Sequence, residues 1–321
     1  MRHSTSAHAR SVRALIGCAV MTALSACGDA TTDPASNIQP IVPNNAARLA
    51  AATTTAQSNA ACTAIQPYYW EIGDQTGRLG GASVNAAGRS TTVTAQTAMP
   101  IASASKWLYG AYVAERRAGT LTAEDIQFLT FRSGYTSFSG CDNDDTVDSC
   151  VARGNNGNRT LLIVNRFLYD GGHMQKHASL AAPAMNLGAM ANTALATEVR
   201  RVLGPEISLT YTQPQLAGGV RSTANDYAVF LRKILNRQLQ IGALLGSNAT
   251  CTNPATCATA LGSPVSGDIS WSYSIGHWVE NDPATGDGAF SSAGAFGFYP
   301  WISKEKTLYG VLARQIGRAH V

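Results

Sequence analysis

Charge is scarce in this 321-residue chain, where 14% of residues are Asp, Glu, Lys or Arg, against roughly a quarter in ordinary soluble domains. With 45% of residues hydrophobic, that scarcity excludes a disordered polyelectrolyte and leaves enough apolar surface for one large core. A basic excess is lacking too. The first 26 residues hold Arg2, Arg10 and Arg13 and no acid, and without them 21 basic side chains face 20 acidic ones. That balance removes the electrostatic case for a nucleic-acid partner. No internal repeat is visible between residues 60 and 315.

What the chain does have begins with an address. Arg10 and Arg13 precede the apolar run Ala14 to Ala26, which is about half the length of a membrane span, so residues 1–26 read as an export signal. The run ends Leu24-Ser25-Ala26-Cys27, which resembles the bacterial lipoprotein box. The resemblance implies cleavage before Cys27 and a diacylglycerol on its thiol; an ordinary secretory signal is the alternative. Residues 27–60 are rich in Thr, Ala, Asn and Pro without hydrophobic periodicity, the composition of a flexible tether. The expected location is the cell envelope, facing the periplasm, with the lipid as the sole membrane contact. Gly28 after the modified cysteine points toward the outer membrane.

The close spacings of Cys141 with Cys150 and of Cys251 with Cys257 predict two local disulfides in an oxidising compartment. Zinc is the competing reading, without a matching ligand pattern. Cys62 is left odd. Residues 316–321 (IGRAHV) look like a translated sequencing adapter, so a non-native tail after Gln315 is expected, and with it a missing segment that holds a partner for Cys62.

Pro67 to Asp74, a Gln-Thr-Gly turn and Arg78 to Val84 predict a strand hairpin. Ser103 to Ala118 predicts a largely buried helix stopped by Gly119, and Asn192 to Leu203 another, stopped by Gly204. Thr223-Ala-Asn-Asp226 is a capping signal ahead of Tyr227, Phe230, Leu231, Ile234 and Leu235 at helical spacing. Ser272 to Val279, Phe296 to Ile302 and Leu308 to Ala313 read as strands. Strands at both ends with helices between give an α+β (mixed α/β) unit over residues 61–315. One sheet is built from both chain ends, with a helical insert between them.

The chemistry centres on Ser103-Ala104-Ser105-Lys106 at a predicted helix start. Residues three apart share a helix face, so the Lys106 amine can reach the Ser103 hydroxyl and, with its pKa lowered by burial, serve as its base. The helix N-terminus offers backbone N–H groups where charge develops on an acyl carbonyl. His173 and His177 lie four apart without a third ligand and read as solvated or capping residues; His277 either lines the cleft or packs. No metal and no organic cofactor are expected.

Met99 to Trp107, Phe128-Leu-Thr-Phe-Arg-Ser-Gly134, Leu216 to Phe230, and Gly294 to Ile302 with Lys304 to Leu312 together resemble, in order and spacing, the class C β-lactamase and penicillin-binding-protein superfamily of serine hydrolases. That resemblance implies the β-lactamase/transpeptidase-like fold, an antiparallel sheet flanked by helices beside an all-helical insert. It makes Ser103 the nucleophile and Lys106 its base, with the backbone N–H groups of Ser103 and Ala295 as an oxyanion hole. It calls for a tyrosine on the helical side. Tyr169, in Tyr169-Asp170-Gly171, is the best match, as a phenolate near Lys106 that relays a proton to the leaving group; Tyr211 competes. Gly171 replaces the usual asparagine. The third motif, normally Lys or His, any residue, then Gly, reads Ser292-Ala293-Gly294, which places those three at the substrate without a cation.

Losing one charge-assisted contact removes roughly 1.5–3 kcal/mol of recognition. A small, uncharged ester or amide is therefore expected ahead of a D-alanyl cell-wall peptide or a β-lactam. The altered motifs keep open a catalytically weak, penicillin-binding-like sensor. A monomer is expected.

Overall fold

The computed structural model describes residues 44–314 except Arg89 and Thr91. The export signal, Cys27 and residues 316–321 lie outside the described residues. Asn45–Ser58, which the sequence reads as tether, is a helix (α1). Asn44 caps it by accepting from Ala47 N–H at 2.9 Å. Its Ala- and Thr-rich sequence hides the period, because the helix docks by close approach of small residues. Leu49, Ala52 and Ala56 pack on the sheet, and Tyr68 donates its hydroxyl to Ala56 O at 2.6 Å. Gly80 makes room: a Cβ there would lie 2.2 Å from Leu49 Cδ1.

Tyr68–Asp74 (β1) and Arg78–Val84 (β2) form the predicted hairpin, closed where Asp74 Oδ1 accepts from Thr76 N–H at 2.8 Å. Thr250–Cys251 (β3), Ser272–Tyr273 (β4), Trp278–Val279 (β5), Phe290–Ser291 (β6), Tyr299–Ile302 (β7) and Leu308–Ala313 (β8) complete an eight-stranded sheet in the order β2-β1-β8-β7-β6-β5-β4-β3. It is antiparallel throughout, and β1 pairs directly with β8, from Tyr69↔Ala313 to Asp74↔Leu308. The expected sheet from both chain ends is what forms. Ser272 to Val279 is not one strand, however. Gly276, at φ 73°, turns the chain, and Ser274 N–H donates to His277 O at 2.8 Å, so β4 and β5 are a hairpin.

Between the two halves of the sheet run the helices. Ser105–Arg116 (α2), Gly172–Ser179 (α3), Asn192–Leu203 (α4) and Ala224–Leu235 (α5) are the longest of them. Ala118 and Gly119, at φ 48° and 81°, end α2, and Thr223 caps α5 by accepting from Asp226 N–H at 3.0 Å. Helix α5 lies across β1 and β8, and α2 packs on α4, so α2 is the seam between sheet and helical insert. Among the described residues no helix is long and apolar enough to cross a membrane.

Cys141 and Cys150 form the predicted disulfide. Cys251 and Cys257 do not; both are free thiols. Asn253 organises their loop without a staple, its Nδ2 donating to Gly267 O at 3.0 Å and its Oδ1 accepting from Ala255 N–H at 2.8 Å. The Cys257 thiol rests against Thr259 Oγ1. Cys62, odd in the sequence, is buried and disulfide-bonded.

Candidate active site

The predicted helix begins two residues late, and that displacement shapes the site. Met99–Pro100 pairs with the strand Val220–Ser222 and runs into a 3-10 turn, Ala102–Ala104, before α2 starts at Ser105. Ser103 thus sits on the tight turn. Ala102 holds φ 46°, the left-handed region that costs an alanine free energy and persists only under constraint. Ser105 supplies constraint, its Oγ donating to Ala102 O at 2.6 Å and accepting from Val220 N–H at 3.3 Å. From the sheet side, Gly294 lies so close that a Cβ would stand 2.2 Å from Ile101 O. The third motif is therefore pressed against the turn that carries Ser103, and glycine is required there.

Lys106 is 4% exposed. Its Nζ lies 2.9 Å from Ser103 Oγ, donates to Ala217 O at 2.7 Å, and stands 4.9 Å from the centre of the Tyr169 ring. No described carboxylate forms an ion pair with it. Burial disfavours its charged form and brings its pKa down to about 7, with Asp170 pulling back upward.

Tyr169 reaches the same point from the helical side. Phe167–Leu168 pairs in parallel with Ala260–Gly262, and Tyr169 N–H donates to Gly262 O at 3.1 Å, which fixes the backbone. The ring is stacked on Trp278 at 5.3 Å and met edge-on by Phe131 at 5.2 Å and Tyr273 at 5.8 Å. Its hydroxyl interacts with the Ser103 side chain, while burial pushes its pKa up to about 12. The resting group is a phenol, not the phenolate expected from the sequence. Tyr211 is elsewhere: it is buried near Tyr112, and its hydroxyl has no hydrogen-bond partner among the described residues.

Ser292 differs from expectation. It is 3% exposed, and its hydroxyl donates to Ser103 O at 3.1 Å, so it braces the Ser103 backbone. Ala293 is half-buried, and Ala295 is exposed on the turn that Gly294 N–H closes onto Phe298 O at 2.7 Å. At Gly171 a Cβ would lie 2.9 Å from Phe138 Cδ1, which leaves no room for an asparagine.

The histidines are buried, not solvated. His173 Nδ1 contacts the Ser133 hydroxyl at 2.7 Å and its Nε2 donates to Leu168 O at 3.1 Å; His177 bridges Tyr109 and Asp125. His277 accepts from Gly246 N–H at 3.1 Å and stacks on Trp107, so it packs and does not line the cleft. Among the described residues no group of His, Cys, Asp or Glu could hold a metal ion.

The sequence reading missed the aromatic cage of Phe131, Tyr273 and Trp278, the Ala217 carbonyl and Asp170. Phe131 lay inside a quoted motif, and Ala217 beside its glycines; nothing in sequence joined Tyr273 and Trp278 to Tyr169.

No protein-family model and no curated protein sequence matches the chain. Solved structures do, and they define the fold as that of the β-lactamases and penicillin-binding proteins. A candidate beta-lactamase from Bacteroides dorei DSM 17855 aligns over 79% of this chain and 86% of its own, at 22% identity and a TM-score of 0.57. A D-stereospecific amidohydrolase from Streptomyces sp. aligns over 84% and 94%, at 12% identity and a TM-score of 0.56. Simvastatin synthase from Aspergillus terreus aligns over 85% and 94%, at 14% identity and a TM-score of 0.52.

Proposed function

We propose that the chain is a serine hydrolase that acts through a Ser103 acyl-enzyme on a small ester or amide. The carrying observation is the Lys106 amine, buried with no ion pair to a described carboxylate and 2.9 Å from Ser103 Oγ. With a pKa near 7, a large share of this amine is neutral at neutral pH. Ala217 O takes one of its N–H groups, and that orients the lone pair toward the Ser103 hydroxyl. The hydroxyl proton passes to Nζ as Oγ bonds to the acyl carbon. Backbone N–H groups of Ser103 and Ala295 receive the carbonyl oxygen as it becomes an anion. Lys106 then returns its proton through the Tyr169 phenol to the leaving oxygen or nitrogen as that bond breaks. The phenol gives one proton as it takes another. Water releases the acyl group by the same path in reverse.

The solved neighbours, a candidate beta-lactamase and a D-stereospecific amidohydrolase among them, support hydrolase chemistry on this fold. Ser292, with its hydroxyl on Ser103 O, offers no charge to a substrate carboxylate, which favours esters and small amides over D-alanyl peptides and β-lactams. The Cys141–Cys150 disulfide supports export to the cell envelope. A second reading, a binding protein with little turnover, draws on the blocked Gly171 position. Chromogenic esters, anilides and a cephalosporin, offered to the wild type, Ser103→Ala and Lys106→Ala, separate the two. Turnover in the wild type alone supports the hydrolase; equal rates in all three end it, and a probe adduct on Ser103 without turnover favours the binding protein.

A further inference from the structure

Large hydrophobic side chains are exposed at one place among the described residues, and there they stand side by side. Leu161 is 72% exposed and Leu162 90%. A lone exposed leucine is ordinary on a protein surface; an adjacent pair on one turn is a patch. The pair opens the 3-10 turn Leu161–Ile163.

That turn is clamped at both ends, so the exposure is built in. At its start Thr160 N–H donates to Gly134 O at 2.9 Å, and Arg159 Nε donates to Ser133 O at 2.9 Å. At its end Asn165 N–H donates to Arg132 O at 2.8 Å, and Asn165 Oδ1 accepts from Gln127 Nε2 at 2.7 Å. Gly134, at φ 85°, lets the turn close in, since a Cβ there would lie 2.8 Å from Thr160 O and 3.0 Å from Val164 Cγ2. Val164 is thereby drawn inward, while Leu161 and Leu162 are left outside.

The surroundings are basic. Residues 126–141, 154–169 and 247–267, which meet at this turn, hold Arg132, Arg159 and Arg166 and no acid. Arg166 reaches the third of these segments through Ala258 O, at 3.2 Å. None of the three arginines forms an ion pair with a described carboxylate. Of the acids at the borders, Asp125 is buried with Arg117 and His177, and Asp170 accepts from Gly172 N–H. Glu124 is exposed, against the two exposed arginines Arg159 and Arg166.

We propose that this turn docks the domain on an anionic lipid surface. Leu161 and Leu162 enter the boundary of the acyl chains, and Arg159 and Arg166 meet the headgroup phosphates. An apolar tip with cations beside it matches the layering of such a surface, and the export signal expected at residues 1–26 would bring the chain to a membrane. The proposal does not depend on the chemistry at Ser103.

The test mixes the full chain with vesicles of phosphatidylcholine, alone or with phosphatidylglycerol. Leu162→Trp places a reporter on the tip; the chain's own tryptophans are buried or half-buried, and the wild type gives their background. Acyl-brominated lipid is expected to quench the reporter in the vesicles that contain phosphatidylglycerol. Arg159→Gln and Arg166→Gln, each added to Leu162→Trp, should raise the lipid needed about fivefold. Circular dichroism confirms that each variant is folded. A chain that sediments with the vesicles while its reporter stays unquenched overturns the proposal, because the N-terminal segment is then the sole contact. Equal quenching with and without phosphatidylglycerol also overturns it. So does a lipid-free dimer, seen by sedimentation equilibrium, that Leu161→Ser/Leu162→Ser takes apart; the tip would then belong to a second copy of the chain.

Discussion

Two buried polar clusters flank α2, and they treat charge in opposite ways. Asp125 is surrounded: Arg117 donates Nε at 2.7 Å and Nη2 at 3.0 Å, Thr122 its N–H at 2.9 Å and its hydroxyl at 2.8 Å, and His177 Nε2 lies at 2.9 Å. Burial pushes the carboxyl upward, but the donors outweigh it and hold it well below the usual carboxylate range. Lys106 has no such shell. Its partners, Ser103 and Ala217 O, are neutral, and burial brings it down to about 7. The first cluster keeps its charge and ties helices together; in the second, burial favours the neutral amine that the proposed base requires. Both groups are buried; what separates them is an ion pair in contact, present at Asp125 and absent, among the described residues, at Lys106.

The largest expected effect breaks this contrast from the structural side. Asp125→Ala leaves Arg117 and His177 without their acceptor and should cost about 3–5 kcal/mol of stability, read by denaturant unfolding. Lys106→Met should instead unfold at equal or higher denaturant while turnover disappears. If both variants lose stability alike, the contrast is wrong.

Next comes Tyr169→Phe, which keeps the cage but removes the proposed relay. It should lower kcat by roughly 10²- to 10³-fold with little change in unfolding midpoint. An activity within threefold of wild type would remove Tyr169 from the proton path.

A smaller effect sharpens the rule at a third position. Glu280 is buried with the Tyr299 and Ser291 hydroxyls, and burial raises its pKa from 4.5 to about 7. The folded state therefore holds a proton that the unfolded chain has released, and stability falls as pH rises from about 4.5 to 7. Above that window the penalty is constant, at about 3 kcal/mol. Glu280→Gln should stabilise the protein at pH 8 and scarcely at pH 4; equal gains at both would contradict this.

The sequence carried the outline of the fold because its signals were local. The hairpin of β1 and β2 has its turn residues, α5 has its Thr223 cap, and Ser103 and Lys106 are one helical turn apart. What it hid depends on distant segments or on packing without a pattern. Helix α1 docks through alanines and threonines, which carry no amphipathic stripe. The cage around Tyr169 joins Phe131, Tyr273 and Trp278, and no spacing rule connects them. Ser292 was read against substrate because its hydroxyl's real acceptor, Ser103 O, is visible only once the strand end meets the turn. Cys251 and Cys257 have the spacing of a bridge, yet Asn253 already secures that loop.

The central claim is that Lys106 can serve as a base because it is buried with no ion-pair partner in contact among the described residues. Its pKa can be read directly by NMR titration of ¹³Cε-labelled lysine, with Lys106→Met to assign the signal. The account expects a midpoint near 7, moving lower in Asp170→Asn as the carboxylate that favours its charge is lost. A midpoint near the ordinary lysine value of about 10.4 would contradict it.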